Sequence, residues 1–297
     1  MSYPEQVKIV EVSPRDGLQN EKQIIAVGDK LQLINDLRKA GLSHIEVTGF
    51  VSPKWVPQLA DAQSVCAGLS NDEGVHYSAL TPNLQGLNAA IEAGMREVSV
   101  FTAASELFNQ KNINCGIEES FARFEPVIDK ANQLNIKVRG YVSCVLGCPY
   151  EGDVDSKVVA KVAKRLYDMG CYEVSLGDTI GVGTPKQAQS MFSLCAEQIP
   201  VNQLALHFHD TYGQALANIL ACLELGASVI DSSVAGIGGC PYAKGATGNV
   251  STENVVYMLH GMGIKTGVDL KQLIQAGRHI SKVLGRLPNS QVANAMS

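Results

Sequence analysis

No apolar run in this sequence approaches the roughly 20 residues that a bilayer-spanning helix needs, which excludes a helical membrane protein. Basic charge is not in excess: 24 Lys and Arg stand against 29 Asp and Glu. The formal net charge of −5 argues against nucleic acid or an anionic membrane as the main partner. There is no Cys-x-x-Cys and no dense cysteine framework. The eight cysteines are scattered through helix-like and strand-like text, and most are expected to be reduced and buried as small apolar residues. The first residues, MSYPEQVKIVEV, hold neither a secretory apolar core nor an Arg- and Ser-rich transit helix, so the expectation is a cytoplasmic protein. No linker or low-complexity segment interrupts the chain, which reads as one domain over residues 1–297. Histidine is scarce, six in all, yet two of them are separated by a single residue in LALHFHDTYGQA, residues 204–215.

What is present is the makeup of a globular protein with a sizeable core, 45% hydrophobic and 18% charged. One phrase recurs: an amphipathic helix, a glycine, two or three residues, then a β-rich run. It reads LRKAGLSHIEVTGF (37–50), AIEAGMREVSVF (90–101), LYDMGCYEVSLGD (166–178) and CLELGASVIDSSV (222–234), and NQLNIKVRGYV repeats it with Asn135 in the glycine's place. Glycine there suits the left-handed residue just past a helix C-terminus. The helical halves keep a 3.6-residue period, with Val158, Val162, Leu166 and Met169 expected on one buried face.

Eight short runs read as strands: residues 7–12, 44–50, 75–80, 97–102, 137–145, 173–178, 204–209 and 228–234. Their spacing of roughly 20–40 residues suits βαβ units, and their continuous Val, Ile and Leu suit parallel strands buried on both sides. Eight such units predict an α/β fold, a closed (β/α)8 TIM barrel over about residues 5–263 with a helical C-terminal tail over about 264–297. An open doubly wound sheet is the competing arrangement.

In such a barrel the active site lies at the C-terminal ends of the strands. The unusual polar residues fall there. After the first strand comes SPRDGLQNE (13–21), with Arg15 and Asp16; the seventh ends on His207 and His209; after the eighth comes AGIGGCPYAKGATGN (235–249), with Cys240 and Asn249. Strand alternation points His207 and His209 the same way. Strands seven, eight and one are neighbours in a closed barrel, so these residues converge. Asp16, His207, His209 and Asn249 offer two nitrogens and two oxygens to a divalent metal ion such as Mg²⁺ or Mn²⁺. Taken singly, each has a plainer reading: a core or surface histidine pair, a turn aspartate ahead of Gly17, and an N-cap asparagine competing with Ser251 and Thr252.

Arg15 presents a charged fork suited to a carboxylate or a developing oxyanion, or else forms a rim salt bridge. Glu46, inside the second strand, needs Arg15 or the metal as a partner if it is buried. Asp178 ends the sixth strand as either a supporting partner or a turn residue. Residues 236–248 hold five glycines around Cys240 and Lys244, a loop able to close over a ligand with a thiol that could carry a proton. A loop cysteine without a task is the alternative.

With FVSPKWVPQ (50–58), ASELFNQKNIN (104–114), GDTIGVGTP (177–185), HFHDTYGQALAN (207–218) and SVAGIGGCPYAKGATGN (233–249), these stretches resemble the 3-hydroxy-3-methylglutaryl-CoA lyase family from about residue 5 to 285. The Arg-Asp-Gly and His-x-His pieces belong to a wider superfamily of metal-dependent TIM barrels, whereas the GGCPYAKGATGN loop is more specific. The resemblance implies retro-Claisen cleavage of 3-hydroxy-3-methylglutaryl-CoA to acetyl-CoA and acetoacetate, in leucine degradation, by a bacterial homodimer. It implies Arg15, Cys240, His207 and Glu46 as catalytic residues and Asp16, His207, His209 and Asn249 as metal ligands. Arg15, Lys111 and Asn112 would bind the acyl-CoA substrate, the last two at its CoA chain or phosphates. A Claisen condensing enzyme, or a lyase of the superfamily acting on a related 3-hydroxyacyl-CoA, is the alternative.

Overall fold

At the end of each recurring helix the chain turns on a left-handed residue. Gly41, Gly94, Gly170 and Gly226 have φ of 93°, 83°, 107° and 90°, and Asn135 takes the same role at 56°. Each turn delivers the chain into a strand. In the computed structural model, which describes residues 3–70, 73–239 and 248–296, the strands are β1 Lys8–Glu11, β2 His44–Gly49, β3 His76–Leu80, β4 Glu97–Ala103, β5 Lys137–Ser143, β6 Glu173–Asp178, β7 Leu204–Phe208 and β8 Val229–Ser232. They pair in parallel in sequence order, and β8 closes on β1 with Lys8 opposite Val229 and Glu11 opposite Ser232. The architecture is the (β/α)8 barrel expected, and closure removes the open sheet from consideration.

The helices are α1 Val27–Lys39, α2 Ala62–Ala67, α3 Leu84–Glu92, α4 Glu106–Ile113, α5 Ile117–Gln133, α6 Ser156–Asp168, α7 Pro185–Ala196, α8 Ala215–Leu223, α9 Thr252–Gly261, α10 Leu270–Val283 and α11 Gln291–Ala295. The tail helix α10 packs against α1 and α9. Asn254 holds the start of α11, its Oδ1 accepting from Ser290 Oγ and the Val292 amide, both at 3.1 Å. Among the described residues no helix is long and apolar enough to cross a membrane.

One detail of the helix reading needs correction. Val158 is 40% exposed, and Val159 at 0% takes its place beside Val162, Ala163 and Leu166. At about 100° per residue the buried stripe centres near Val159 and Leu166, and Val158 and Met169 fall on its edges. The strands also depart from the uniform apolar run expected of them. Arg139 on β5, Glu173 on β6 and Asp231 on β8 are each at most 2% exposed, so the barrel interior carries charge.

Candidate metal and catalytic site

Beyond β1 the chain tightens into a single π-helical turn, Ser13–Gly17, in which the amides of Asp16 and Gly17 both donate to Val12 O at 2.8 and 3.2 Å. Single π-turns of this kind recur at functional sites. Gly17 fits because a Cβ there would lie 2.9 Å from Ser233 Oγ. Glu11, at the end of β1, accepts from the Ser13 amide (3.0 Å), the Val234 amide (2.9 Å) and Thr252 Oγ1 (2.7 Å). One buried carboxylate thus ties the loop after β1 to the segment after β8.

Asp16, His207 and His209 offer ligand atoms that all lie within 4.8 Å of one another, and they could hold a metal ion. His207 Nε2 is 3.9 Å from Asp16 Oδ2, and the two imidazole centroids are 5.5 Å apart. A backbone bridge between His209 and Asn249 brings the fourth expected residue alongside, where Asn249 Nδ2 donates to Asp16 Oδ2 at 2.8 Å. That leaves Asn249 Oδ1 as its side-chain atom able to bind a cation. Asn249 is not the helix cap; Ser251 caps α9 by accepting from the Asn254 amide. Among the described residues, buried His209 Nδ1 meets no hydrogen-bond partner, as expected of an atom placed for a ligand. Two imidazoles, a carboxylate and an amide oxygen suit a hard or borderline divalent ion, and the residues present fit such a group.

The electrostatics agree. Burial opposes the charge on Asp16, but Arg15 and then His207 and His209 outweigh it and hold the carboxyl at about 2. Burial and the neighbouring His207 push His209 down to about 4, so it presents a neutral imidazole at neutral pH. Arg15, though buried, holds its charge more firmly than usual because Glu46 and Asp16 outweigh desolvation. Its Nε donates to Glu46 Oε2 at 2.5 Å and its Nη1 to Asp16 Oδ1 at 2.6 Å. Glu46 is thereby satisfied, with Ser99 Oγ donating to its other oxygen at 2.6 Å.

Other expected residues fall elsewhere. Asp178 accepts from the Val182 and Gly183 amides at 3.2 and 2.9 Å and is the turn residue; burial raises it to about 6. Lys111 and Asn112 are exposed on α4, after β4, the strand diametrically across the ring from β8. Cys240 and Lys244 lie outside the described residues.

Sequence reasoning missed the layer beneath the site. His207 Nδ1 is 3.1 Å from Asp231 Oδ2, and Asp231 is held by Arg139 and Ser175. Two guanidinium groups lie over the Tyr141 ring, Arg15 at 5.5 Å and Arg139 at 5.0 Å from its centroid, and Tyr141 and His207 meet in a T-shaped arrangement. The signal was available: an aspartate in VIDSS and an arginine in VRGYV stand inside strands that are buried on both sides.

Comparisons with known proteins identify the family to which the chain belongs. A family model described as HMGL-like matches residues 6–280. A Pseudomonas aeruginosa protein called 3-hydroxy-3-isohexenylglutaryl-CoA/hydroxy-methylglutaryl-CoA lyase is 59% identical over 296 residues, covering 100% of this chain and 99% of that one. The mitochondrial hydroxymethylglutaryl-CoA lyase of Pongo abelii is 59% identical over 294 residues, 99% of this chain and 90% of the relative. A crystal structure of hydroxymethylglutaryl-CoA lyase from Pseudomonas aeruginosa matches with a TM-score of 0.98 at 59% identity, covering 100% of this chain and 99% of that chain.

Proposed function

Because the chain belongs to the HMGL-like family, we propose that it cleaves 3-hydroxy-3-methylglutaryl-CoA to acetyl-CoA and acetoacetate with the help of a divalent ion, Mg²⁺ or Mn²⁺. The observation that carries this reading is the placement of buried Arg15 directly against Asp16 of the Asp16–His207–His209 cluster. Lyase chemistry needs a tertiary hydroxyl deprotonated, a ketone formed from it, and the departing thioester enolate stabilised and protonated.

Asp16, His207, His209 and Asn249 would hold the ion, which when bound lowers the pKa of a coordinated hydroxyl. Arg15, oriented by Glu46, faces the thioester oxygen as negative charge grows on it, a contribution of about 3–4 kcal/mol for donors of this kind. His207 is the alternative proton carrier to Cys240, a role that would need one of its nitrogens free of both the ion and Asp231. Cys240, from the glycine-rich loop, returns a proton to the acetyl-CoA carbanion. Lys111 and Asn112, exposed on α4, are assigned to the CoA chain or its phosphates. We place the reaction in leucine breakdown, in the cytoplasm of a bacterium, in a homodimer.

A second reading has its own support: the Pseudomonas aeruginosa relative carries a longer branched substrate in its name. Chelator-treated protein should release acetyl-CoA and acetoacetate from 3-hydroxy-3-methylglutaryl-CoA only after Mn²⁺ or Mg²⁺ is restored. Turnover of the isohexenyl analogue alone would favour the second reading, and turnover of neither would end both. For Cys240→Ala, a loss smaller than tenfold, about 1.4 kcal/mol, would remove the proton-carrier role.

A further inference from the structure

The buried ion-pair chain beneath the metal site has no part in the reaction as described, yet it ends on a metal-facing imidazole. It begins at Lys8 Nζ, 2.5 Å from Glu173 Oε2, and passes from Glu173 Oε1 to Arg139 Nε at 2.8 Å. Arg139 then grips Asp231 with both terminal nitrogens, Nη1 to Oδ2 at 2.9 Å and Nη2 to Oδ1 at 2.7 Å. Ser175 Oγ adds a bond to Oδ2 at 2.8 Å. Asp231 finally meets His207 Nδ1 at 3.1 Å. Glu173, Arg139 and Asp231 are shut away from solvent, so water does not compete for these bonds.

We propose that Asp231 is a positioning residue that fixes His207 as its Nδ1–H tautomer and so aims the Nε2 lone pair into the ion site. Both Asp231 oxygens face guanidinium N–H donors, which leaves no place for a carboxyl proton. The group is an acceptor only, and the shared hydrogen must therefore sit on His207 Nδ1. With Nδ1 committed to Asp231, Nε2 is the nitrogen left to face an ion, and it lies 3.9 Å from Asp16 Oδ2. Arg139 sets the direction of Asp231 through its planar fork, which a lysine could not do. Outer partners of this kind commonly change metal affinity by about 10–100-fold.

This inference rests on the reading of Asp16, His207 and His209 as an ion site, but its test does not need lyase turnover. In metal-free protein labelled with ¹⁵N-histidine, long-range ¹H–¹⁵N correlations should show one histidine locked as Nδ1–H, assigned to His207 by its loss in His207→Gln. In Asp231→Asn the same ring should shift toward Nε2–H, because an amide can donate as well as accept, and Mn²⁺ binding followed by electron paramagnetic resonance should weaken tenfold or more. Ser175→Ala, which keeps Asp231 and Arg139 paired, should preserve the tautomer and cost only a fewfold. A wild-type His207 found as Nε2–H overturns the proposal, whether or not the Asp231 variant folds. Unchanged Mn²⁺ affinity in folded Asp231→Asn overturns it too. Failure to form acetyl-CoA with the tautomer pattern intact would count against the reaction and leave this assignment standing.

Discussion

Arg15 bridges two carboxylates, its Nε 2.5 Å from Glu46 Oε2 and its Nη1 2.6 Å from Asp16 Oδ1. One guanidinium thereby couples the metal-facing aspartate on the β1 turn to a fully buried glutamate on β2. Two of its five N–H bonds are committed to these carboxylates, and the two on Nη2 and the second on Nη1 meet no partner among the described residues and can serve a substrate oxygen.

Removing that bridge should cost both rate and stability. Arg15→Met is expected to lower kcat by about 10²–10³. It should also destabilise the fold, since among the described residues Ser99 alone would still donate to the fully buried Glu46 carboxylate. Arg15→Lys should restore little, because an ammonium cannot span both carboxylates at the angles a planar fork allows. Steady-state kinetics alongside thermal unfolding separates the two effects; full activity in the lysine variant would contradict the bridging role.

The donor set makes a ranked prediction for metal affinity. Asp16 supplies the full negative charge, while Asn249 supplies a neutral oxygen and a hydrogen bond to Asp16. Asp16→Asn should therefore weaken Mn²⁺ binding at least tenfold more than Asn249→Ala, as read by isothermal titration calorimetry. Equal losses would mean that charge does not organise the site.

A pH dependence of stability follows from Glu253. Its two oxygens accept from the Ala235 amide at 2.9 and 3.0 Å, and burial, with Glu11 adding repulsion, pushes it up to about 8. An unfolded glutamate titrates at about 4.3, so between these values the native state holds the extra proton. Stability is accordingly lost as pH rises from the unfolded value through about 8, and the penalty is complete above it. Glu253→Gln, which keeps an acceptor for Ala235, should lose less stability than wild type between pH 5 and pH 9. Calorimetric melting curves at several pH values test this, and parallel profiles for the two proteins would refute it.

Gln58 fastens the loop after β1 to the loop after β2. Its Oε1 accepts from the Ile25 amide at 2.9 Å and its Nε2 donates to Gln23 O at 2.8 Å, with the residue 2% exposed. Gln58→Ala strands a buried amide and carbonyl and should destabilise the protein by about 1–3 kcal/mol in urea unfolding. A loss below about 0.5 kcal/mol, the range of an ordinary surface change, would show that the loops hold together without it.

The sequence alone determined the barrel and the upper half of its site. Glycine and asparagine at the helix exits, eight β-rich runs and polar residues gathered after strands one, seven and eight are local signals, because propensity and turn chemistry act over a few neighbouring residues. Parallel closure then puts those three ends side by side. The tertiary structure decided the rest. Val158 lost its buried place to Val159 because helix orientation is set by what the helix packs against. Asp178 became a turn residue, Asn249 was freed from capping, and Asp231 and Arg139 turned out to support His207. Charges inside strands reveal that a partner must exist, but the partner lies on another strand, and only closing the ring brings it within hydrogen-bond distance.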